Sequence, residues 1–360
     1  MGGAPRRHAI RYYKCRACVA PGGDSAVRDP AQVVPHPGCK VRGRFFGTSL
    51  SGVMLSGGHC LDVLGKATGF PAKDEKSVSL AESLHVLGLV LSFVPRTLVA
   101  TVSIDPAKAS KWSKILVDVL SSGHCSQQTA IKMAGRLSFA VMSSTGRIGR
   151  AYIKPFFAQA NAPLPRGRAS EFMPQAAGWW VSYFAMKPVS AIACGGRERK
   201  VVHAWTDAAG ASRWIAAIIR TEAGFFWTRS RLPDALWDQF LPRGDEQIGS
   251  QELMAIPLMA ATFEDYIKDS LLSLAIDNSG VVGNMVKGSG SAADHNLAIA
   301  RIWLNFAAAG VAPWFLKVET KCNVADGPTR DNFEEVLRLS ARFVEPRWPD
   351  WIADIWKVAH

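Results

Sequence analysis

Three observations predict a mixed α/β fold with a five-stranded sheet for the C-terminal half of this 360-residue chain. First, "VVHAWTDAAG", "SRWIAAIIR" and "GFFWTRS" are short runs rich in β-branched and aromatic residues, with turns at Gly210 and around Gly224. Second, a segment from Ser250 and the stretch "SAADHNLAIARIWLNFAAAG" read as helices. Third, "LLSLAIDN" and "APWFLKVE" read as strands that alternate with those helices. Three strands, helix, strand, helix, strand describes a mixed sheet with helices packed on it.

Upstream of this half, "LHVLGLVLSF" reads as a strand pair, or a strand followed by a turn at Pro95. In "DPAKASKWSKILVDVLSS" Asp105 is placed to cap a helix and Pro106 to occupy its first position. Trp112, Ile115, Leu116, Val119 and Leu120 then share one face, while Lys108, Lys111 and Lys114 recur on another. That lysine stripe is read as a solvated helix face, although the same spacing suits a phosphate backbone. A second helix in "SQQTAIKMAGRLSFAVMSS" turns Met133, Ala134, Leu137 and Val141 inward. Two polar connectors, "NAPLPRGRASEF" and "GGRERK", bracket a short aromatic helix around Trp179 and Trp180, and the main boundary falls near residue 199.

The 42 Lys and Arg against 30 Asp and Glu give a net charge of +12, which favours a polyanionic partner. The most apolar stretch, "LHVLGLVLSFVPRTLVATVS", is broken by Pro95 and Arg96 and is not a membrane span. "MGGAPRRHAIRYYK" has no apolar signal core, and Arg6 stands where a myristoylation signal wants Ser or Thr. An intracellular protein of nucleus or cytoplasm, without membrane attachment, is the expectation. The seven cysteines, an odd number, argue for a reducing compartment. Cys15, Cys18, His36 and Cys39 have a spacing that suits one tetrahedral zinc, but the preferred reading is an irregular leader that happens to contain thiols.

Four acids stand out by position. Asp207 ends the first strand of the C-terminal half, and Glu252 lies in the first turn of the following helix. Asp277 ends the fourth strand, and Asp326 follows the last in "NVADGPTR". Each alone is an ordinary turn or cap residue. In a sheet whose first and fourth strands are neighbours, two strand-terminal aspartates stand side by side and repel unless a cation lies between them. Hard oxygen ligands suit Mg²⁺ or Mn²⁺, and two such ions are what in-line phosphodiester hydrolysis uses.

On "TDAAG", "QELMAI", "IDNSGVV" and "NVADGPTR" the chain resembles the type 1 ribonuclease H domain of retroelement reverse transcriptases, of the long-terminal-repeat or tyrosine-recombinase (DIRS-like) kind. Upstream, "GFPAKDEKS" with "LHVLGLVLSF" is similar to the end of a polymerase palm, and "KMAGRLSFA" to a thumb helix. The resemblance implies a poorly ordered basic leader over 1–67, a remnant palm edge and helical thumb over 68–160 and a connection over 161–199. It places a ribonuclease H-like domain at 200–330 and a C-terminal helix or tail at 331–360. The thumb and connection region is expected to be mostly helical.

The implied activity is cleavage of the RNA strand of an RNA–DNA hybrid, with Asp207, Glu252, Asp277 and Asp326 as catalytic metal ligands for two Mg²⁺ or Mn²⁺ ions and no small-molecule cofactor. Asn278 is expected to orient a neighbour, and Lys321 or Arg330 to face solvent or touch phosphate. The chain departs from the family in three ways. No Asp-Asp pair occurs anywhere, so the polymerase metal site is missing and the chain is read as a truncated reverse transcriptase. The loop "KVETKCN" lacks the family's histidine, with His295 elsewhere and Glu319 as a partial substitute. Pro257 lies in the helix of Glu252, where a kink would displace the carboxylate. Two alternatives stand beside this reading: a catalytically decayed module that binds hybrids, and an integrase- or transposase-like nuclease. The position of Glu252 between the first two aspartates speaks against the latter.

Overall fold

Asp105 begins the first helix as its chemistry dictates. Its carboxylate accepts from the amides of Ala107 and Lys108, Pro106 fills the first position, and the helix α1 runs Pro106–Ser122 to a left-handed Gly123. The computed structural model describes residues 83–94, 99–141, 147–193, 199–238, 240, 244 and 247–354. The leader, the turn at Pro95 and the Cys15, Cys18, His36 and Cys39 group lie outside the described residues. Of two compact units, Met1–Ala72 and Lys73–His360, only the second contains described residues.

The first part of that unit is a sheet with helices on it. β1 (Ser83–Val86) and β2 (Leu89–Val94) form a hairpin, β3 (Val99–Ile104) pairs with β2, and β4 (Val189–Ala193) closes the order β1-β2-β3-β4, all antiparallel. The sheet adds β3 and β4 to the strand pair expected in "LHVLGLVLSF", beside helices that account for more of this region's described residues than its strands do. β3 and β4 were hidden in sequence because one runs on from the hairpin's apolar stretch and the other is a five-residue run between the aromatic helix and "GGRERK". α1 packs with α2 (Gln127–Ala140), α3 (Lys154–Asn161) and α4 (Met173–Ala185) around Leu116, Met133, Leu137, Phe156 and Trp180, all buried. Trp112 and Val119 point inward as expected, whereas Leu120 is exposed at the edge of the apolar stripe.

The second part contains the mixed α/β sheet, in the order β10-β7-β6-β5-β8-β9. Its strands are β5 (Val201–Ala209), β6 (Trp214–Thr221), β7 (Gly224–Arg231), β8 (Leu271–Ile276), β9 (Ala312–Lys317) and β10 (Arg342–Phe343). β5, β6 and β7 are antiparallel, while β8 runs parallel to β5 and β9 parallel to β8. The sheet therefore has six strands, not the expected five. The sixth is a two-residue edge strand parallel to β7, too short to leave a periodic pattern.

The helices α5 (Asp234–Trp237), α6 (Ile248–Thr262), α7 (Glu264–Ile267), α8 (Ser279–Lys287) and α9 (Ala293–Ala308) come between or beside these strands. α6 is buried almost all round, which is why its sequence lacks a polar face. It packs on β5 and β6, with Leu253, Ile256 and Met259 against Val202, Ala217 and Ile219. The opposite sheet face carries a smaller cluster, where α10 (Asp326–Thr329) and α11 (Glu334–Arg338) cover Ile218 and Trp205. Among the described residues no helix is long and apolar enough to cross a membrane.

Candidate active site

The register of the parallel pair decides where the first two acids meet. Trp205 lies opposite Ala275, so two residues on, Asp207 and Asp277 come level at the same end of the sheet. Side chains alternate along a strand, so Asp207 shares the face of Val201, His203 and Trp205, and Ala208 joins the core on the other. Asp207 is third from the end of β5 rather than last, and Asp277 lies in the bend just after β8. Glu252 comes from the second turn of α6, because that helix begins at Ile248, ahead of the expected Ser250. α6 continues through Pro257, which lies one turn beyond Glu252, and the carboxylate stays against Asn278. Asp326 opens the short α10.

Each acid has a different setting. Asp207 is 3% exposed, and the 323–329 segment covers it. Asn323 Nδ2 donates to its Oδ1 at 3.2 Å and to the Thr206 carbonyl at 3.0 Å. Thr329 Oγ1 lies 2.9 Å from Asp207 Oδ2 and 2.8 Å from the Asp326 carbonyl. One hydroxyl proton serves both acceptors, so an ionised Asp207 takes it, and a protonated Asp207 donates to Thr329 and releases that proton to the carbonyl. Burial pushes Asp207 up to about 7. The Thr329 hydrogen bond opposes that rise, the charges of Asp277 and Asp326 add to it, and Arg330 offsets part of it.

Glu252 is 7% exposed and is pushed up to about 8, first by burial and then by the charge of Asp277, with a smaller push from Asp207. Asn278 Nδ2 donates to its Oε1 at 3.2 Å, while Asn278 Oδ1 caps α8 by accepting from the amides of Gly280 and Val281. Asn278 is thus the orienting residue that the sequence suggested. Among the described residues, Glu252 Oε2 and Asp277 Oδ1 are buried carboxylate oxygens with no hydrogen-bond partner in the protein. Two such acceptors near one another are costly unless a cation or proton meets them.

Asp326 is partly exposed and accepts from Arg330 Nε at 2.9 Å. Glu319, the expected stand-in for the missing histidine, is exposed and pairs with Lys321 at 3.1 Å. His295 Nε2 lies 2.9 Å from Ser250 Oγ, two residues before Glu252 on α6. Asp207 thus feels the charges of Asp277 and Asp326, and Glu252 those of Asp277 and Asp207, although among the described residues no three His, Cys, Asp or Glu side chains already form a closed metal-ligand set. The orphaned oxygens and the all-carboxylate donor set fit a hard divalent cation.

Sequence reasoning missed Asn323 and Thr329, which hold Asp207, and Arg229, which holds their segment in place. Arg229 is sandwiched between the rings of Trp214 at 3.8 Å and Phe333 at 5.3 Å. It donates to the Pro328 carbonyl at 3.1 Å and to Asp331 Oδ1 at 2.7 Å. A signal was present in part: Thr329 follows Asp326 by three residues, the separation at which a hydroxyl reaches back to a carbonyl in a helical turn. Thr329→Val keeps the shape and leaves both acceptors unserved. It is expected to cost about 1–3 kcal/mol in urea unfolding, and an unchanged midpoint and slope would remove Thr329 from the account.

No protein-family model matches the chain, and no curated protein does. A solved structure, described as that of the foamy viral protease-reverse transcriptase dRH in complex with double-stranded DNA, is similar over 71% of this chain with 11% sequence identity and a TM-score of 0.27. The match spans 41% of that chain.

Proposed function

We propose that this protein is a ribonuclease H-like, metal-dependent endonuclease that cleaves the RNA strand of RNA–DNA hybrids. The observation that carries the reading is the pair of buried, partnerless oxygens, Glu252 Oε2 and Asp277 Oδ1, beside an Asp207 whose carboxyl is itself raised by burial and by its acidic neighbours. Asp207, Glu252, Asp277 and Asp326 would hold two Mg²⁺ or Mn²⁺ ions. When bound, such ions supply water activation and stabilisation of the leaving oxygen.

The chain's own groups prepare that site. Asn323 and Thr329 fix the Asp207 carboxylate, Asn278 fixes Glu252, and Arg229 secures the segment that brings Asp326 to them. The register brings Asp207 and Asp277 level at one end of the sheet, where β5 and β8 are neighbours. A second reading, hybrid binding without turnover, is favoured by Arg330, which already occupies the Asp326 carboxylate.

A panel of end-labelled substrates tests the proposal. With Mg²⁺ the protein is expected to cut the RNA of a hybrid and to leave single-stranded RNA and duplex DNA intact. Primer extension is expected to be absent, because the chain has no Asp-Asp pair. Hybrid binding without cutting in either Mg²⁺ or Mn²⁺ would select the second reading, and cutting of duplex DNA would point to the integrase-like class.

A further inference from the structure

Helices cover the inner face of the six-stranded sheet, and α10 with α11 cover only the β5–β7 half of the outer face. Toward β9 and the starts of β5 and β8 the outer face is exposed, although Ala275 on it is buried. Trp314 is 70% exposed there, and Leu316, Leu271 and Val201 are exposed beside it. A contiguous apolar patch of this kind on a basic protein marks a contact surface.

The register puts a chemically distinct row across this face. Arg220 lies opposite His203, His203 opposite Ser273, and Ser273 opposite Trp314. Arg220 and His203 are exposed, and the Arg220 guanidinium lies 5.9 Å from the Phe225 ring on its other side. The Trp314 and His203 rings are therefore two strand spacings apart, about 10 Å, with only a serine between them. Between this row and the aspartates lie Trp205, Ile218, Ala275 and Leu316, of which Ile218 and Ala275 are buried and Trp205 packs against the α10–α11 cluster.

We infer that this row is a stacking platform for single-stranded nucleic acid, with Trp314 and His203 offering ring faces to bases and Arg220 a charge to the phosphates. Sequence-tolerant single-strand binding combines these two elements, aromatic faces and cations along one track. Arg220 at one end of the row and the chain's net charge of +12 favour a polyanion as the occupant, and the exposed rings favour one with unpaired bases. The test is made without cleavage, so this inference and the nuclease reading can fail separately.

The full chain, with divalent metal chelated and at low salt, is titrated into fluorescein-labelled oligothymidylate and followed by anisotropy. Trp314→Ala is expected to weaken binding about tenfold or more, the range for loss of one stacked base. Trp314→Phe should retain most of the affinity, and Arg220→Ala should lose less than Trp314→Ala. The melting temperature of Trp314→Ala should match the wild type, because the ring is exposed. Unchanged oligonucleotide affinity in Trp314→Ala would overturn the inference. So would a wild-type dimer in sedimentation that Trp314→Ala converts to monomer, since the face would then belong to a second copy. Oligonucleotide binding through Trp314 in a protein that never cuts hybrids would refute the nuclease reading alone.

Discussion

Asp277→Asn is expected to reduce hybrid cleavage to background and, in metal-free protein at about pH 8.5, to melt no lower than the wild type. Asp277 is the charge that raises Glu252 most and it also raises Asp207, so its removal relieves repulsion on both neighbours. The relief is largest where those neighbours are ionised, hence the alkaline pH. Mg²⁺ at about 100 times its Kd should stabilise the wild type by about 2.7 kcal/mol through binding to the folded state alone. The variant should gain far less, because it has lost a carboxylate whose oxygen lacks any other partner. Scanning calorimetry with and without Mg²⁺ measures both effects, and non-specific salt effects cancel between the two proteins. Equal Mg²⁺ shifts, or a variant that melts lower in the absence of metal, would make Asp277 an ordinary bend residue.

The second large effect is on pH. Asp207 and Glu252 are raised to about 7 and about 8, above the ordinary carboxylate range. Between the unfolded and folded values the native chain binds more protons than the unfolded chain, so stability falls as pH rises. The contribution of the two groups is fully present below about pH 4, is lost progressively as pH rises from there through 7 and 8, and changes little above. Metal-free protein should therefore melt several degrees lower at the top of that window than in its middle, and Glu252→Gln should flatten the slope. Saturating Mg²⁺ should flatten it as well, since a bound cation replaces the protons. Metal-free stability that rises from pH 6 to pH 8.5 would mean that the carboxylates are neither buried nor crowded as described.

Local chemistry explains what could be read ahead of the structure. Asp105 and Pro106 announce a helix start by side chain alone, the runs of β5 and β6 carry their strand identity in β-branched residues, and β8 was read as a short apolar run. The acids were legible because a charge at the end of an apolar strand stands out. Their supports were not. Asn323 and Thr329 sit in "NVADGPTR", a polar, turn-rich stretch that resembles a solvated loop, and only the fold carries it onto Asp207, 122 residues before Thr329. Leu120 failed for the opposite reason: its spacing matched the apolar stripe, but no neighbouring element covers that edge. α8 was unread because its start, "NSGVVGN", carries glycines that weaken a helix, and the Asn278 cap compensates by serving two amides.

The most direct measurement follows a hybrid carrying separate labels on its RNA and DNA strands, incubated with wild type and Asp277→Asn in Mg²⁺ and in chelator. Internal cuts are expected in the RNA strand only, by wild type only and with Mg²⁺ only, while both proteins bind the hybrid. Cutting that persists in Asp277→Asn or in chelator would contradict it.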